Sequence, residues 1–315
     1  MSAERQRTAT SFAVVGMGVQ GVKRRAIIGD QPCVTVDPVA PGADYTSITD
    51  VPLDRYDAVF LCTPDSVKSE LVDYLVEHGK HVLIEKPFSL EPGQYASLAE
   101  LGARTGSTVY VAYNHRFEPH IATLKVVLDE GRLGEIYTVS MSYGNGTAEL
   151  VRTSAWRDTG IGVIADLGSH LLDMVDFWWG LEGRTIDFMD ARAIENRAYD
   201  QATFRLSGLP SAYLETTMLS WRNDFHCHIR GSEGSAHISS LCKWGPTSLT
   251  LRGRVRPSGR PDERSETLVQ ADPTWAAEHD HFLGLIGAGD PGNLATSREI
   301  ARILDEVTED LLGAR

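Results

Sequence analysis

The feature that most constrains this chain is Gly16-Met17-Gly18-Val19-Gln20-Gly21, which follows the apolar run Ser11-Phe12-Ala13-Val14-Val15 and precedes a helix-compatible stretch from Val22 to Ile28. Gly16 permits a tight turn, Gly18 lets the backbone come close to a pyrophosphate, and Gly21 lets helix and strand pack closely. The N–H groups at the helix start then face the phosphates. Alone the motif is weak, because glycine-rich turns are common.

Its surroundings strengthen it. Cys33-Val34-Thr35-Val36 reads as a second strand ending at Asp37, 21 residues after Gly16. A carboxylate there accepts hydrogen bonds from ribose hydroxyls and repels a 2′-phosphate, so NAD is expected over NADP. The plainer reading is a surface aspartate in a turn before Pro38. Strand and helix then alternate at short spacing: strand 57–63, helix 66–78, strand 81–84, helix 92–104 and strand 108–112. The pattern predicts a doubly wound parallel α/β sheet, whose ligands bind at the carboxyl ends of its strands. Cys62-Thr63-Pro64 and Glu85-Lys86-Pro87 fall at such ends. Lys86 precedes a proline and is held extended. An ammonium there polarises a carbonyl or hydroxyl oxygen, although a surface lysine capping the strand fits its position equally well.

The pattern changes near Phe117. A helix over 119–130 leads to an alternating strand over 136–143, and residues 185–251 read as several short strands. The final helix is expected to begin at Thr296-Ser297-Arg298-Glu299, which has capping-box spacing. Its apolar face is Ile300, Ile303, Leu304, Val307 and Leu311. The division is therefore a Rossmann domain over 1–117 and an α+β domain with a largely antiparallel sheet over 118–315.

The segment from Gly160 to Trp179 holds Asp166, His170 and Asp173 at offsets of four and three. At about 100° per residue these share one helix face. A histidine flanked by carboxylates is held in one tautomer and made more basic, as a proton acceptor requires. An ordinary helix-surface pair and metal ligation with carboxylates from elsewhere remain as other readings. Phe177, Trp178 and Trp179 read as core.

Bulk composition bounds the rest. With 315 residues, 42% of them hydrophobic, the chain is long enough for two cores. A net charge of −13 disfavours nucleic acid and anionic membranes as partners. Lys23-Arg24-Arg25, the densest cationic run, reads as a solvated helix face. The first ten residues lack the apolar region of a secretory signal, and no apolar run approaches the roughly 20 residues needed to cross a bilayer. A soluble, cytoplasmic protein is expected. The four cysteines read as reduced thiols. His226-Cys227-His228 puts two histidines on one strand face but lacks further ligands, so no metal is expected.

Together these residues resemble the Gfo/Idh/MocA oxidoreductase family over nearly the whole chain. The likeness rests on the glycine turn, Cys62-Thr63-Pro64, Glu85-Lys86-Pro87, Asn114-His115-Arg116-Phe117, and the D-x-G-x-H-x-x-D segment Asp166-Leu167-Gly168-Ser169-His170-Leu171-Leu172-Asp173. The resemblance implies an open-faced sheet in the second domain, used to form a homodimer or homotetramer. It implies that Lys86 and His170 are the catalytic pair, with Asp166 ordering the site. His170 would take or return the hydroxyl proton while Lys86 orients the reacting groups and assists that transfer. The substrate would be a sugar, sugar nucleotide or cyclic polyol. Gly16, Met17, Gly18, Val19, Gln20, Gly21, Asp37, Cys62, Thr63, Pro64, Glu85, Lys86 and Asn114 would hold the cofactor. Arg116, Tyr143 and Arg157 would touch substrate, and Trp156-Arg157 resembles a pair found in sugar-active members. Lys68 stands where many members carry histidine, which leaves contacts to the cofactor edge or phosphate in question. Asn145-Gly146-Thr147-Ala148 resembles a subgroup loop.

Three other functions are weighed against this. Imine reduction would favour a phosphorylated cofactor, which Asp37 argues against. An NAD(H)-binding sensor without turnover would not need Lys86, Asp166 and His170. A metal-dependent hydrolase lacks a complete ligand set.

Overall fold

The computed structural model describes residues 10–154 and 157–313. They form two compact units, one running to Ala112 and taking in Trp275–Arg298, the other holding Tyr113–Thr274 and the chain from Glu299 onward.

The first unit alternates β1 (Phe12–Val15), α1 (Val19–Ile28), β2 (Cys33–Val36), β3 (Ala58–Leu61), α2 (Asp65–Glu77), β4 (His81–Glu85), α3 (Pro92–Thr105) and β5 (Val109–Ala112). All strand pairs are parallel, in the order β2-β1-β3-β4-β5. Every residue of β1, β3 and β5 is buried, as a sheet covered on both faces requires. The chain leaves β1 toward β2 and returns on the other side at β3. That reversal opens a crevice beyond the carboxyl ends of β1 and β3, where ligands of such sheets bind. Helix α1 starts at Val19 with Gly18 as N-cap, earlier than Val22, so the end of the glycine motif is itself helical.

The sequence boundary at 117/118 differs from this division, because the stretch 275–298 belongs with the first unit. Phe282 is fully buried against Phe60 and Tyr110. Val109 N–H donates to Pro291 O at 3.0 Å, and Asn293 Oδ1 accepts from Val111 N at 2.6 Å. These bonds satisfy the outer edge of β5, which would otherwise be an unpaired strand edge.

The second unit contains α4 (Pro119–Asp129), β6 (Ile136–Gly144), α5 (Ala148–Arg152), a π-helical turn over Ile164–Gly168, α6 (Ser169–Trp179), and strands β7 (Ile186–Arg192), β8 (Gln201–Leu206), β9 (Ser211–Thr217), β10 (Asp224–Gly231), β11 (Gly234–Ser239), β12 (Thr247–Gly253) and β13 (Glu263–Leu268). Its eight strands lie in the order β13-β12-β11-β10-β6-β9-β8-β7, antiparallel at every pair except β6–β9. Alternation sorts the faces. Val139, Met141, Phe204, Leu214, Phe225 and Ile229 are buried under α4 and the π turn, while Ser140, Tyr213, His226 and His228 point the other way.

Two helices follow, α7 (Thr274–Ala288) and α8 (Leu294–Leu312). Helix α8 begins before the expected Thr296, because Asn293 O already accepts from Ser297 N–H at 3.1 Å. The Thr296–Glu299 spacing therefore lies inside the first turn and does not cap it. Ile300, Ile303 and Val307 are buried as predicted, whereas Leu304 and Leu311 are only half-buried. Among the described residues no helix is long and apolar enough to cross a membrane.

Candidate active site

In the first unit the glycine turn is built for close approach. Gly16 has φ +91°, and a Cβ there would meet Cys62 O at 2.5 Å, so the turn abuts the end of β3. A Cβ on Gly21 would lie 1.8 Å from Gly16 O, which is why only glycine permits α1 to start here. At Gly18 a Cβ would meet nothing within 4 Å, so this backbone faces open space. The first turn of α1 carries no acidic residue and no side-chain cap, leaving its N–H groups to an anion. Thr63 Oγ1 is buried at the adjoining strand end without a hydrogen-bond partner. Asp37 Oδ2 accepts from Met17 N–H at 2.7 Å, and Oδ1 accepts from Val39 and Ala40 N–H at 2.8 Å each. These backbone donors, Met17 first, hold the carboxyl below the usual range. A cradle of open backbone N–H groups with a fixed carboxylate beside it fits a dinucleotide.

The end of β4 is clamped from behind. Lys68 Nζ, on α2, donates to Glu85 O at 2.6 Å and to Pro87 O at 2.5 Å, the two carbonyls flanking Lys86. A third bond goes to Asp65 Oδ1 at 2.7 Å. Lys68 is 3% exposed, and that burial pushes its ammonium down. Lys86 itself is half-buried. The carboxylate of Glu85, expected beside the cofactor, accepts from Arg24 Nε at 2.7 Å. Arg24 Nη2 donates to Glu278 Oε2 at 2.6 Å, and its guanidinium lies 4.5 Å from the Trp275 ring centre. The reading of Lys23-Arg24-Arg25 as a solvated face therefore fails at Arg24, which is 1% exposed because two carboxylates draw it inward. The Cys62 thiol is pushed up by burial, away from nucleophilic use.

In the second unit His170 is 7% exposed, and its Nδ1 lies 2.6 Å from Nδ1 of His115, itself 2% exposed. His115 Nε2 is 2.9 Å from Lys243 Nζ, which also donates to Tyr143 Oη at 3.2 Å. Tyr143, expected to touch substrate, is 5% exposed and stands edge-on to His115 at 5.5 Å. Burial pushes its phenol up, so it stays protonated. Asp166 pairs with Arg157 at 3.4 Å, both side chains about one-third exposed at 34% and 29%.

Asp173 is turned elsewhere. Arg116 Nε donates to both of its oxygens at 2.9 Å, and Arg116 Nη2 reaches Asp176 Oδ2 at 2.9 Å. Arg116, expected at the substrate, is thus engaged by two carboxylates of α6. Burial outweighs the pull of Arg116 and raises the Asp173 carboxyl to about 6. Asp166 pairs with Arg157, His170 with His115 and Asp173 with Arg116. The π turn at Ile164–Gly168, which holds Asp166, departs from 100° per residue, while His170 and Asp173 lie together in α6. Asn114 Nδ2 donates to Thr274 Oγ1 at 2.7 Å. Trp178 is core at 6% exposure, whereas Phe177 lies half-exposed under Arg116. Trp156 lies outside the described residues.

Sequence reasoning missed His115 and Lys243 as partners of the site. His115 stood inside a quoted motif, but Lys243 carried no local signal, being 128 residues from the ring it meets. Next to it, Glu118, Cys242 and Asp272 bring three donor atoms within 4.8 Å of one another. Glu118 Oε2 accepts from Cys242 N–H and Asp272 Oδ1 from Thr274, so two of the three carry structural bonds already. His226 and His228 share the exposed face of β10 with His237 of β11, their rings 5.8 Å from the His237 ring.

Comparison with known proteins follows the two units in order. The model of an oxidoreductase family with an NAD-binding Rossmann fold matches residues 30–113, and the GFO/IDH/MocA C-terminal domain matches 121–237. Inositol 2-dehydrogenase of Rhizobium meliloti is 25% identical over 277 residues, 84% of this chain and 78% of that protein. The NAD(+) scyllo-inositol 2-dehydrogenase of Bacillus subtilis is 26% identical over 62% of this chain and 59% of its own. Levoglucosan dehydrogenase, solved with NADH and levoglucosan, shares the fold with a TM-score of 0.79 at 18% identity, covering 97% of each chain. An Agrobacterium radiobacter oxidoreductase solved with NAD+, L-tartaric acid and magnesium does so at 0.80 and 17%, covering 98% of each. Two family models that together match more than half of the sequence make this chain a member of the Gfo/Idh/MocA family of NAD(P)-dependent oxidoreductases.

Proposed function

We propose that the chain moves a hydride between a nicotinamide, NAD in preference to NADP, and a carbinol or carbonyl carbon of a sugar, sugar nucleotide or cyclic polyol. The observation that carries this reading is His170, a buried imidazole held at one ring nitrogen by His115 on a segment that also offers Asp166. A ring so held presents its other nitrogen in a defined direction, as a proton acceptor must. Relatives named inositol 2-dehydrogenase and levoglucosan dehydrogenase support a polyhydroxylated substrate.

The bound nicotinamide supplies the hydride acceptor or donor. The backbone from Gly16 to Gly21 would hold the pyrophosphate, Asp37 the ribose hydroxyls, and Cys62, Thr63, Pro64 and Asn114 the remainder. His170 takes the hydroxyl proton in oxidation and returns it in reduction. Lys86 stabilises negative charge on the substrate oxygen, worth most where water is excluded. Asp166 and Arg157 orient substrate hydroxyls. Arg116 and Glu85 act behind this layer, Arg116 by fixing α6 and Glu85 by fixing the end of β4 through Arg24. The reading includes a cytoplasmic homodimer or homotetramer.

Calorimetry with NAD, NADH, NADP and NADPH, followed by an absorbance screen over inositols, sugars and sugar nucleotides, tests it. Tight NAD(H) binding with turnover on one polyol is expected. Absence of binding by any nicotinamide cofactor would overturn it.

A further inference from the structure

The contacts of His170 form a chain of three titratable groups, and with both imidazoles neutral hydrogen counting along it leaves two arrangements. His170 Nδ1 meets His115 Nδ1 at 2.6 Å, and His115 Nε2 meets Lys243 Nζ at 2.9 Å. A hydrogen bond needs one donor and one acceptor, and a neutral imidazole has one of each. If Lys243 is an ammonium it donates to His115 Nε2. His115 then carries its proton on Nδ1 and donates to His170 Nδ1, so His170 carries its own proton on Nε2. If Lys243 is an amine it accepts from His115 Nε2–H. Every bond reverses, and His170 has its lone pair on Nε2.

We infer that Lys243, acting through His115, sets the tautomer of His170 and terminates a proton relay that makes His170 a donor in reduction and an acceptor in oxidation. This rests on the proposed role of His170. In oxidation the substrate O–H bond breaks as its proton joins His170 Nε2, and the carbinol hydride leaves for the nicotinamide. His170 Nδ1–H passes to His115 Nδ1, and His115 Nε2–H passes to the Lys243 amine, which becomes ammonium. The positive charge thus ends on Lys243 and not on the buried imidazole. Reduction runs the same transfers backward, with the proton drawn from the Lys243 ammonium.

The surroundings suit a terminal group that holds charge. Lys243 Nζ lies 4.7 Å from the Trp244 ring centre and 5.6 Å from that of Tyr143, faces that favour a cation. Glu118 exerts a Coulombic pull on it, and Asp272 lies beside Glu118. His170 is faced in addition by Tyr113 and Tyr143, and Asp166 and Asp173 stand on the turns either side of it. Both histidines are under 8% exposed, so water does not readily replace a link of the chain.

Nitrogen-15 NMR of the histidine rings in the cofactor-free protein reads the tautomers without turnover. In the wild type His170 is expected to change from Nε2–H to Nδ1–H as pH rises through the titration of Lys243. In Lys243→Arg, whose guanidinium does not lose its proton, His170 is expected to stay Nε2–H throughout. The kcat for oxidation should fall about tenfold in both Lys243→Arg and Lys243→Met, with the KM for NAD within about twofold and the alkaline rise in rate lost. A role in packing or charge alone would be rescued by arginine. Full oxidation by Lys243→Arg, or one His170 tautomer at every pH in wild type and variant alike, overturns the relay. Full turnover by His170→Ala would instead overturn the functional reading, while the NMR would still decide whether Lys243 governs the ring.

Discussion

Asp37 Oδ2 accepts the Met17 N–H at 2.7 Å, so the carboxylate at the end of β2 is bonded to the glycine turn that follows β1. One side chain therefore shapes the turn and, on the proposed reading, also places a negative charge beside the ribose. Asp37→Ala should weaken NAD binding by roughly tenfold, the worth of a charge-assisted hydrogen bond, and should raise affinity for NADP relative to NAD. Calorimetry with both cofactors checks this. An unchanged ratio would remove Asp37 from cofactor selection.

The three glycines of the turn should separate folding from binding. Gly18→Ala adds a methyl where nothing lies within 4 Å, so its thermal midpoint should stay within a few degrees while NAD affinity falls. Gly21→Ala drives a methyl against Gly16 O, to which it would lie 1.8 Å, and should lower stability by about 2 kcal/mol or more. Thermal melts with and without NAD distinguish the two. Equal loss of stability in both would mean that Gly18 is needed for the turn itself.

Asp173 should leave a mark on the pH dependence of stability. Its carboxyl is raised to about 6 in the fold, against about 3.9 unfolded. A carboxyl raised by folding contributes stability that is present below the unfolded value and lost as pH climbs through the folded one. Asp173→Asn does not titrate, so between pH 4 and pH 7 the stability difference should move by about 2 kcal/mol in the variant's favour. Urea unfolding at several pH values measures it, and a difference independent of pH would contradict the assignment.

Lys86→Ala and His170→Ala should each lower kcat by a hundredfold or more, the range of general acid–base catalysis. Affinity for NAD should change little in either. Steady-state kinetics on the identified substrate, with calorimetry of the cofactor, reads both. Near-full activity in either variant would end that residue's assigned role.

What the sequence revealed follows from the range of each signal. The buried runs Phe12–Val15 and Ala58–Leu61 are legible because a strand covered on both faces is apolar throughout, and the glycine turn because its contacts fall within a few residues. Asp166 and His170 stand out within one sequence segment, but their partners Arg157 and His115 do not, and Asp166 sits in a π turn that departs from helical arithmetic. Arg24 looks like any surface cation until Glu85 and Glu278 arrive from 61 and 254 residues away. Lys68 likewise cannot be told from a phosphate contact until the carbonyls of Glu85 and Pro87 are seen around it. His115 and Lys243 belong to the same class, since no window of sequence contains both.

The bond between Arg24 and Glu278 also has a meaning for the birth of the protein. Translation adds about 5–20 residues per second, so Glu278 emerges from the ribosome roughly 10–50 s after Arg24. Through that interval the nascent Rossmann sheet lacks α7 over Phe60 and the strap that pairs with β5. The amino-terminal unit is therefore closed only after residues 113–274 of the second unit have been synthesised inside it. Chains stalled before Thr274 should show it as an incompletely closed, protease-sensitive intermediate, and the time it stays open makes it the stage at which chaperones have most to protect.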